Sequence, residues 1–298
     1  MGDRSGISWT DATWNPIAGC TRVSAGCDNC YAARQAATRL KHTPQYRGLA
    51  RITPSGRAAF NGRVRLLPDR LDQPLRWRRP RRIFVNSMSD LFHEALDDET
   101  IYGIWNIMAT CREHTFQVLT KRPARLLRWF AWVERENREG EAVRRLQLAG
   151  DDWPLPNVWL GVSCEDQATA DERVPLLLEA PAAVRWISAE PLLGPLHVFP
   201  WLACGERAGL EWVVVGGESG PRARPFNVTW ARHLRDQGRA AEVPVFIKQV
   251  GSQPQSFCDH FGVSQVDIGG GWAHKLRDAK GADPSEWPPD LRVQEYPA

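Results

Sequence analysis

The chain has 298 residues, of which 43% are hydrophobic and 24% are charged, and its formal net charge is only +3. These proportions are typical of a globular protein with a sizeable apolar core, and they exclude a largely disordered chain. Because no apolar run approaches membrane-spanning length and the N-terminus lacks the apolar region of a secretory signal, we expect a single cytoplasmic domain over residues 1–298.

A dense group of thiols comes first along the chain. Cys20, Cys27 and Cys30 lie within eleven residues of each other, in a loop that follows a strand predicted near residues 7–10. Three thiolates leave a tetrahedral zinc ion one ligand short, whereas a [4Fe-4S] cluster held by three cysteines keeps one iron open for a substrate or cofactor. The odd number of thiols therefore favours an iron–sulfur cluster.

Zinc remains the alternative metal, with its fourth ligand from His42 or a distant cysteine. The other four cysteines occur singly, which fits a reducing compartment better than a disulfide framework. We expect these four to be packing residues: Cys111, Cys164, Cys204 and Cys258.

A basic block follows the cysteine loop. Residues 39–82 hold thirteen of the 38 Lys and Arg residues but only two of the 35 acidic residues. Tyr46, Phe60 and Trp77 alternate with the arginines, a mixture typical of surfaces that contact phosphates and stack on bases. A solvated surface excursion is the alternative. We expect an insertion that binds nucleic acid through the following residues: Arg76, Trp77, Arg78 and Arg79.

Beyond this block the sequence repeats a strand-then-helix pattern, with short apolar runs separated by longer helical stretches. The predicted strands are 82–87, 115–120, 158–163, 184–188, 211–216 and 243–248. The predicted helices are 97–111, 123–148, 168–178 and 229–239, with Asp97 and Thr229 as N-caps and Pro123 in a first turn. With the strand near residues 7–10, these seven units predict an α/β fold, a complete or partial (β/α) barrel.

Polar residues follow six of the predicted strands. In a parallel barrel the functional side chains lie at the carboxyl ends of the strands, so six polar segments on one rim indicate a ligand site. Helix caps and loops explain any one segment alone. The residues singled out at this rim are Ser87, Ser89, Asp90, Lys121, Arg122, Ser163, Glu165, Glu190, Gly216, Gly217, Glu218 and Lys248.

The last segment, residues 265–298, is rich in turn-forming residues and contains Trp272 and Trp287. Its glycine and proline content predicts little regular structure, while the two tryptophans predict anchoring to the rest of the chain. We interpret it as a cap laid over one end of the barrel.

Eight segments carry a family resemblance: ISWTDATWNP, GCTRVSAGCDNCYA, NSMSDLFH, VLTKRP, GVSCEDQ, AEPLLGP, VVVGGESG and FIKQ. Together they resemble a phage-encoded three-cysteine branch in or near the radical S-adenosylmethionine superfamily. The superfamily's common pattern is C-x3-C-x2-C with an aromatic residue before the last cysteine. This chain has C-x6-C-x2-C, with Asn29 before Cys30 and Tyr31 after it.

The resemblance implies that Cys20, Cys27 and Cys30 bind three irons of a [4Fe-4S] cluster and that S-adenosyl-L-methionine chelates the fourth. An external electron donor, such as a flavodoxin or ferredoxin, would then drive cleavage of the sulfonium, and the resulting radical would abstract a hydrogen atom. By barrel position, the expected cofactor contacts are Ser87, Ser89 and Asp90 for the methionine end, Ser163 and Glu165 for the ribose, and Gly216 and Gly217 for the adenine or carboxylate. The expected catalytic residues facing the substrate are Glu190, Glu218 and Lys248.

The function implied is radical chemistry on a nucleic acid base, in the cytoplasm of the host cell if the protein is phage-encoded. The most specific expectation is a rearrangement in thymine hypermodification of phage DNA. A DNA photolesion repair lyase of the same superfamily is the alternative enzyme. The contrasting class is a zinc-containing DNA-binding protein without catalysis.

Overall fold

The computed structural model describes residues 5–139, 153–256, 264–267 and 271–298. The chain divides into two compact units. One is Met1–Val162 with Pro175–Val184, and the other is Ser163–Val174 with Arg185–Ala298. The single domain expected from the sequence stays a prediction.

Strands and helices alternate along most of the described chain. The strands are β1 (Ala12–Trp14), β2 (Ile17–Ala18), β3 (Ala50–Ile52), β4 (Ala58–Phe60), β5 (Arg65–Leu66), β6 (Arg82–Val85), β7 (Thr115–Thr120), β8 (Val158–Ser163), β9 (Val184–Ala189), β10 (Trp212–Gly216), β11 (Phe226–Asn227), β12 (Val245–Gln249), β13 (Pro254–Ser256), β14 (Ser264–Asp267) and β15 (Trp272–Lys275). The helices are α1 (Tyr31–Ala37), α2 (Pro68–Leu71), α3 (Asp98–Thr110), α4 (Pro123–Glu139), α5 (Gln167–Glu179) and α6 (Val228–Ala241).

The first unit contains a parallel sheet of β1, β6, β7 and β8, which are neighbours in chain order. Val85 lies opposite Trp14, and Gln117 lies opposite Phe84. Most side chains of these strands are buried, as expected for parallel strands that are covered on both faces. Helix α3 follows β6 and helix α4 follows β7, so each strand leads into a helix.

The basic insertion at residues 39–82 folds onto α1, the helix that follows the cysteine loop. Its β3–β4 hairpin packs against α1, and β5 pairs with β2. Tyr46 is buried in a hydrophobic cluster against which Phe60 and Cys30 pack. Trp77 is only 7% exposed. The three aromatic residues that suggested a stacking surface are therefore packing residues in this conformation.

The second unit contains the parallel strands β9, β10 and β12, also neighbours in chain order. Helix α6 packs against β10 and β12. A smaller sheet has the order β11–β13–β15–β14, in which only the β11–β13 pair is parallel. The predicted lack of regular structure in residues 265–298 is therefore wrong for β14 and β15. Trp287 is buried, as expected of an anchor, and donates to the carbonyl oxygen of Gly281.

Six of the seven predicted strands are present as parallel strands, and the observed ends of each lie within three residues of the predicted ends. The exception is the first strand, predicted near residues 7–10 but found at Ala12–Trp14, because the Thr10 amide closes a turn on Ile7. The chain is an α/β protein whose parallel strands alternate with helices, which confirms the predicted class and is consistent with a partial (β/α) barrel.

The predicted helix starts are mostly confirmed. Asp97 caps α3 by accepting a hydrogen bond from the Thr100 amide, and α4 begins at Pro123. The predicted cap at Thr229 is wrong, because Asn227 caps α6 and accepts from the Thr229 amide. Residues 140–148 of the predicted second helix lie outside the described residues. No helix in the described ranges has both the length and the hydrophobicity needed to cross a bilayer.

Candidate iron–sulfur site

The cysteine loop begins where the chain passes close to the basic insertion. Gly19 has a φ of +93°, and a Cβ at this position would lie 2.2 Å from the carbonyl oxygen of Arg63. Only glycine fits both the backbone conformation and this close approach. Gly19 also bridges to Ser89, just beyond β6. The loop is therefore fixed beside the carboxyl end of a strand of the parallel sheet.

The three loop cysteines are partly exposed, and none of the six cysteines in the described ranges forms a disulfide. Of the four cysteines expected to be packing residues, Cys111 and Cys164 are buried, whereas the expectation is wrong for Cys204, which is exposed, and Cys258 lies outside the described residues. Burial raises the pKa of Cys20 to about 12, with smaller contributions from nearby groups that include Asp90 and Cys30. Burial also raises the pKa of Cys30, and Cys27 adds to this effect. Cys20 and Cys27 thus each lie within electrostatic range of Cys30.

A buried ion pair holds the start of the loop. Nη1 of Arg122 lies 2.8 Å from Oδ2 of Asp90, and these side chains are only 9% and 7% exposed. Nη2 of Arg122 donates to the carbonyl oxygen of Thr21 at 3.0 Å, and its Nη1 lies 3.9 Å from the sulfur of Cys20. One guanidinium therefore connects the end of β7 to the first cysteine.

Asp90 was predicted to contact the cofactor, but its oxygens already have protein partners. Besides Arg122, it accepts from the Thr120 hydroxyl at 2.8 Å and from the amides of Phe92 and Lys121. A carboxylate with this many donors is held in one orientation and has little capacity for a further ligand. In this conformation Asp90 positions the loop through Arg122.

A second contact fixes Thr21. Its hydroxyl lies 2.6 Å from Nε2 of His93. Nδ1 of His93 accepts from the Ala95 amide, so a neutral imidazole carries its proton on Nε2 and donates to Thr21. Burial lowers the pKa of His93, and the charge of Arg122 lowers it further. The neutral form of His93 therefore holds the loop.

The two serines predicted to contact the methionine end of the cofactor, Ser87 and Ser89, also have hydrogen-bond partners within the protein. The Ser87 hydroxyl bonds to the side chain of Asn15, and the Ser89 hydroxyl donates to the carbonyl oxygen of Ile17. The hydroxyl of Tyr31, directly after the last loop cysteine, donates to the carbonyl oxygen of Ser87. Contact of the two serines with a cofactor stays a prediction, while their observed hydrogen bonds join the segment after β6 to residues 15 and 17, just before the cysteine loop.

Asn86 is the residue of this region that sequence reasoning missed. It follows β6, has a φ of 59°, and is only 2% exposed. Neither polar atom of its side-chain amide has a hydrogen-bond partner among the described residues. Asparagine is one of the few residues besides glycine that tolerate left-handed backbone, but a buried amide without hydrogen bonds is costly. A group bound at this strand end would supply the missing hydrogen bonds. In the sequence, the only indication of a role for Asn86 was its place at the end of a predicted strand.

In the second unit, Glu165 is fully buried and pairs with Arg173 at 3.0 Å. Arg173 also donates to the carbonyl oxygen of Ser163 at 2.7 Å. This pair stabilises the turn after β8. The predicted contacts of Ser163 and Glu165 with a ribose stay predictions.

The three predicted catalytic residues of the second unit do not form one cluster. Lys248 and Glu190 form a partly buried ion pair at the ends of β12 and β9. Glu218 binds Arg224 instead, through both carboxylate oxygens. The structure therefore joins two of the three predicted residues and gives the third a partner of its own.

Gly216, the last residue of β10, and Gly217 have packing partners within the protein. A Cβ at Gly216 would lie 3.1 Å from the side chain of Glu190, and one at Gly217 would lie 2.7 Å from the carbonyl oxygen of Val250. The second distance is shorter than a Cβ tolerates. The backbone of the protein itself, rather than a ligand, explains why position 217 requires glycine.

The predicted nucleic-acid contacts differ in exposure. Arg76, Arg78 and Arg79 are exposed, and Arg76 pairs with Asp72 on the surface. Trp77 is buried, with its ring against His114 and the guanidinium of Arg81. The arginines are available to a polyanion, whereas stacking of Trp77 on a base does not fit its position.

The chemistry of the loop suits an iron–sulfur cluster. Three thiols without disulfides lie on one loop, and Arg122 and Lys121 each exert a positive electrostatic effect on one of them. Positive groups stabilise a cluster whose thiolate ligands add negative charge. In the described ranges, no three His, Cys, Asp or Glu side chains are already gathered as a metal site. The three loop cysteines therefore fit a [4Fe-4S] cluster in ligand type and in lying on a single loop.

Comparisons with known proteins identify the family. A family model described as a protein of unknown function, DUF5131, matches residues 4–282. No curated protein matches the chain, and no solved structure matches it.

Proposed function

The chain belongs to the DUF5131 family of proteins of unknown function, and we propose that it is a radical S-adenosylmethionine enzyme acting on a nucleic acid base. One observation carries this proposal. The loop with Cys20, Cys27 and Cys30 is held at the carboxyl ends of parallel strands by the Arg122–Asp90 pair. Carboxyl ends of parallel strands are where α/β enzymes place their active sites.

In this proposal the three cysteines bind a [4Fe-4S] cluster in a barrel of the radical S-adenosylmethionine type. When bound, the cluster and S-adenosylmethionine would supply a radical able to take a hydrogen atom from an unactivated carbon. Arg122 orients the loop through Thr21 and supplies positive charge near Cys20. The unbonded amide of Asn86 is available to a bound group at the same strand end.

The substrate class rests on the basic insertion. Residues outside 39–82 hold 25 Lys and Arg residues against 33 acidic residues, so the positive charge of the chain is concentrated in the insertion. Exposed arginines attract a polyanion, and we propose DNA, with rearrangement of a modified thymine as the reaction. A base must leave the duplex to reach an active site. Glu190 and Lys248 are proposed as substrate contacts in the second unit.

The proposed location is the cytoplasm, where thiols remain reduced. An external electron donor of the flavodoxin or ferredoxin type would complete the system.

Metal analysis of anaerobically purified protein tests the proposal. We expect about four irons and four sulfides per chain and a brown colour. Replacement of all three loop cysteines by alanine should remove the iron, whereas Cys204→Ala, at an exposed single cysteine, should retain it. One zinc per chain, with no iron after anaerobic reconstitution, would overturn the proposal in favour of a zinc protein.

A further inference from the structure

A polar cavity of about 300 Å³ lies in the basic insertion. Its lining comes from α2 and from the short helical turn at Pro74–Arg76. The lining residues are Asp69, Arg70, Gln73, Arg76 and Trp77. This volume lies at the lower end of the range for small-molecule sites and suits a single nucleotide.

The walls of this cavity are anchored to the sheet of the first unit. The indole nitrogen of Trp14, in β1, donates to the carbonyl oxygen of Arg70 at 2.7 Å. Nε2 of His114 lies 3.3 Å from the carbonyl oxygen of Pro74. The ring of Trp77 packs edge-on against His114. Because buried side chains hold the backbone on two sides, the cavity is formed before any ligand binds.

The polar groups of the cavity have unused bonding capacity. The side chains of Asp69, Arg70 and Gln73 make no hydrogen bond or ion pair with other residues of the described ranges. Arg76 pairs with Asp72, but both side chains are more than half exposed. Such a surface pair contributes little to stability and exchanges partners readily. The cavity thus offers two guanidinium groups, one carboxamide and one carboxylate to a ligand.

We propose that this cavity binds one nucleotide of a single-stranded nucleic acid, an inference that rests on the nucleic acid substrate of the proposed function. Arg70 and Arg76 bind its phosphate, since guanidinium groups match phosphate geometry. Gln73 and Asp69 bind the edge of the base, where the carboxamide offers both a donor and an acceptor.

The neighbouring surface supports a strand rather than a free nucleotide. Arg78 and Arg79 follow the cavity-lining Trp77 directly in sequence and are exposed, so they are accessible to further phosphates of a strand. A stacked base in a duplex keeps its edges paired, so a single strand fits the cavity better. Trp77 forms a wall of the cavity and stays packed in the protein.

Fluorescence anisotropy with labelled single-stranded oligonucleotides tests this site. Arg70→Ala should lower the affinity about 10-fold, because charged hydrogen bonds to phosphate are lost. The slope of log affinity against log salt should fall by about 0.7 for one phosphate contact. Arg57→Ala removes the same charge from an exposed position of the insertion outside the cavity, and it should change the affinity less than about 2-fold.

Gln73→Ala provides the second variant and should reduce the difference in affinity among oligonucleotides of different bases. Deoxyribose and ribose oligomers of equal sequence show which nucleic acid is preferred, and a matched duplex should bind more weakly than either strand. Equal losses for Arg70→Ala and Arg57→Ala, with an unchanged base preference in Gln73→Ala, would show binding by diffuse charge and overturn the inference. Oligonucleotide binding through the cavity by a protein without iron would overturn the proposed function and leave this inference standing.

Discussion

Arg122 and Asp90 form a buried ion pair, and the same guanidinium reaches the carbonyl oxygen of Thr21 and the sulfur of Cys20. The two residues lie after the carboxyl ends of neighbouring strands, Asp90 after β6 and Arg122 after β7. The cysteine loop therefore depends on the parallel sheet for its position.

Arg122→Gln should lower the free energy of unfolding by about 3 kcal/mol, because it leaves the Asp90 carboxylate buried without its cation. Arg128→Gln is the matched control, since its pair with Glu94 is 59% and 60% exposed. The control should change stability by less than about 0.5 kcal/mol. Urea denaturation measures both values. Equal effects of the two variants would show that the Arg122–Asp90 pair does not hold the fold.

Acid should break the hydrogen bond from the Ala95 amide to Nδ1 of His93, because protonation of the ring places a proton on this acceptor nitrogen. The folded protein keeps His93 neutral because burial lowers its pKa, whereas the unfolded chain binds a proton near the ordinary value of 6.5. Protons thus favour unfolding, and the stability present above pH 6.5 is lost as pH falls below it.

Urea midpoints from about pH 8 to about pH 5 should decline more steeply for the wild type than for His93→Gln. His42→Gln, at an exposed histidine, should follow the wild type. Parallel profiles for the wild type and His93→Gln would contradict this account.

Asn86→Gly should raise the free energy of unfolding by about 1 kcal/mol, since glycine tolerates the left-handed backbone and removes an unbonded buried amide. The same change should weaken binding of S-adenosylmethionine. Asn157→Ala is the control, because that buried amide donates to the carbonyl oxygens of Met108, Cys111 and His114. It should lower stability by about 2 kcal/mol without affecting the ligand. A less stable Asn86→Gly that binds S-adenosylmethionine normally would assign Asn86 a purely structural role.

Gly217→Ala should lower stability by about 2 kcal/mol, because the added Cβ would lie 2.7 Å from the Val250 carbonyl oxygen. Gly103→Ala is the control, since Gly103 lies inside α3 with nothing near its missing Cβ. That change should raise stability by about 0.5–1 kcal/mol through helix propensity. Thermal unfolding of both variants gives the comparison. A fully stable Gly217→Ala that no longer binds S-adenosylmethionine would restore the interpretation of Gly217 as a site for close ligand approach.

The repeating part of the fold could be predicted from the sequence because its signals are local. Strands 115–120 and 158–163 were predicted with the observed ends, since each is a short apolar run before a polar segment. The Asp97 cap was predictable for the same reason. Ile7–Thr10 has the composition of a strand, but it closes into a turn through a backbone bond that composition does not reveal.

The site was less predictable because its contacts link distant parts of the chain. Asp90 has the residue type and position of a ligand contact, yet its partner Arg122 lies 32 positions away and is brought to it by the sheet. Tyr46 and Trp77 alternate with arginines in sequence, but the sequence does not say which side chains face inward. Asn86 was missed because its significance lies in an absent partner, which only a structure reveals.

The central claim is that the loop with Cys20, Cys27 and Cys30 supports radical chemistry, and reductive cleavage of S-adenosylmethionine without substrate tests it most directly. Reconstituted wild-type protein with a strong reductant should release methionine and 5′-deoxyadenosine, and the triple alanine variant should release neither. Arg57→Ala should cleave at the wild-type rate, because Arg57 is exposed on the basic insertion, outside the cysteine loop. Wild-type protein with a full complement of iron that leaves S-adenosylmethionine intact would contradict the account.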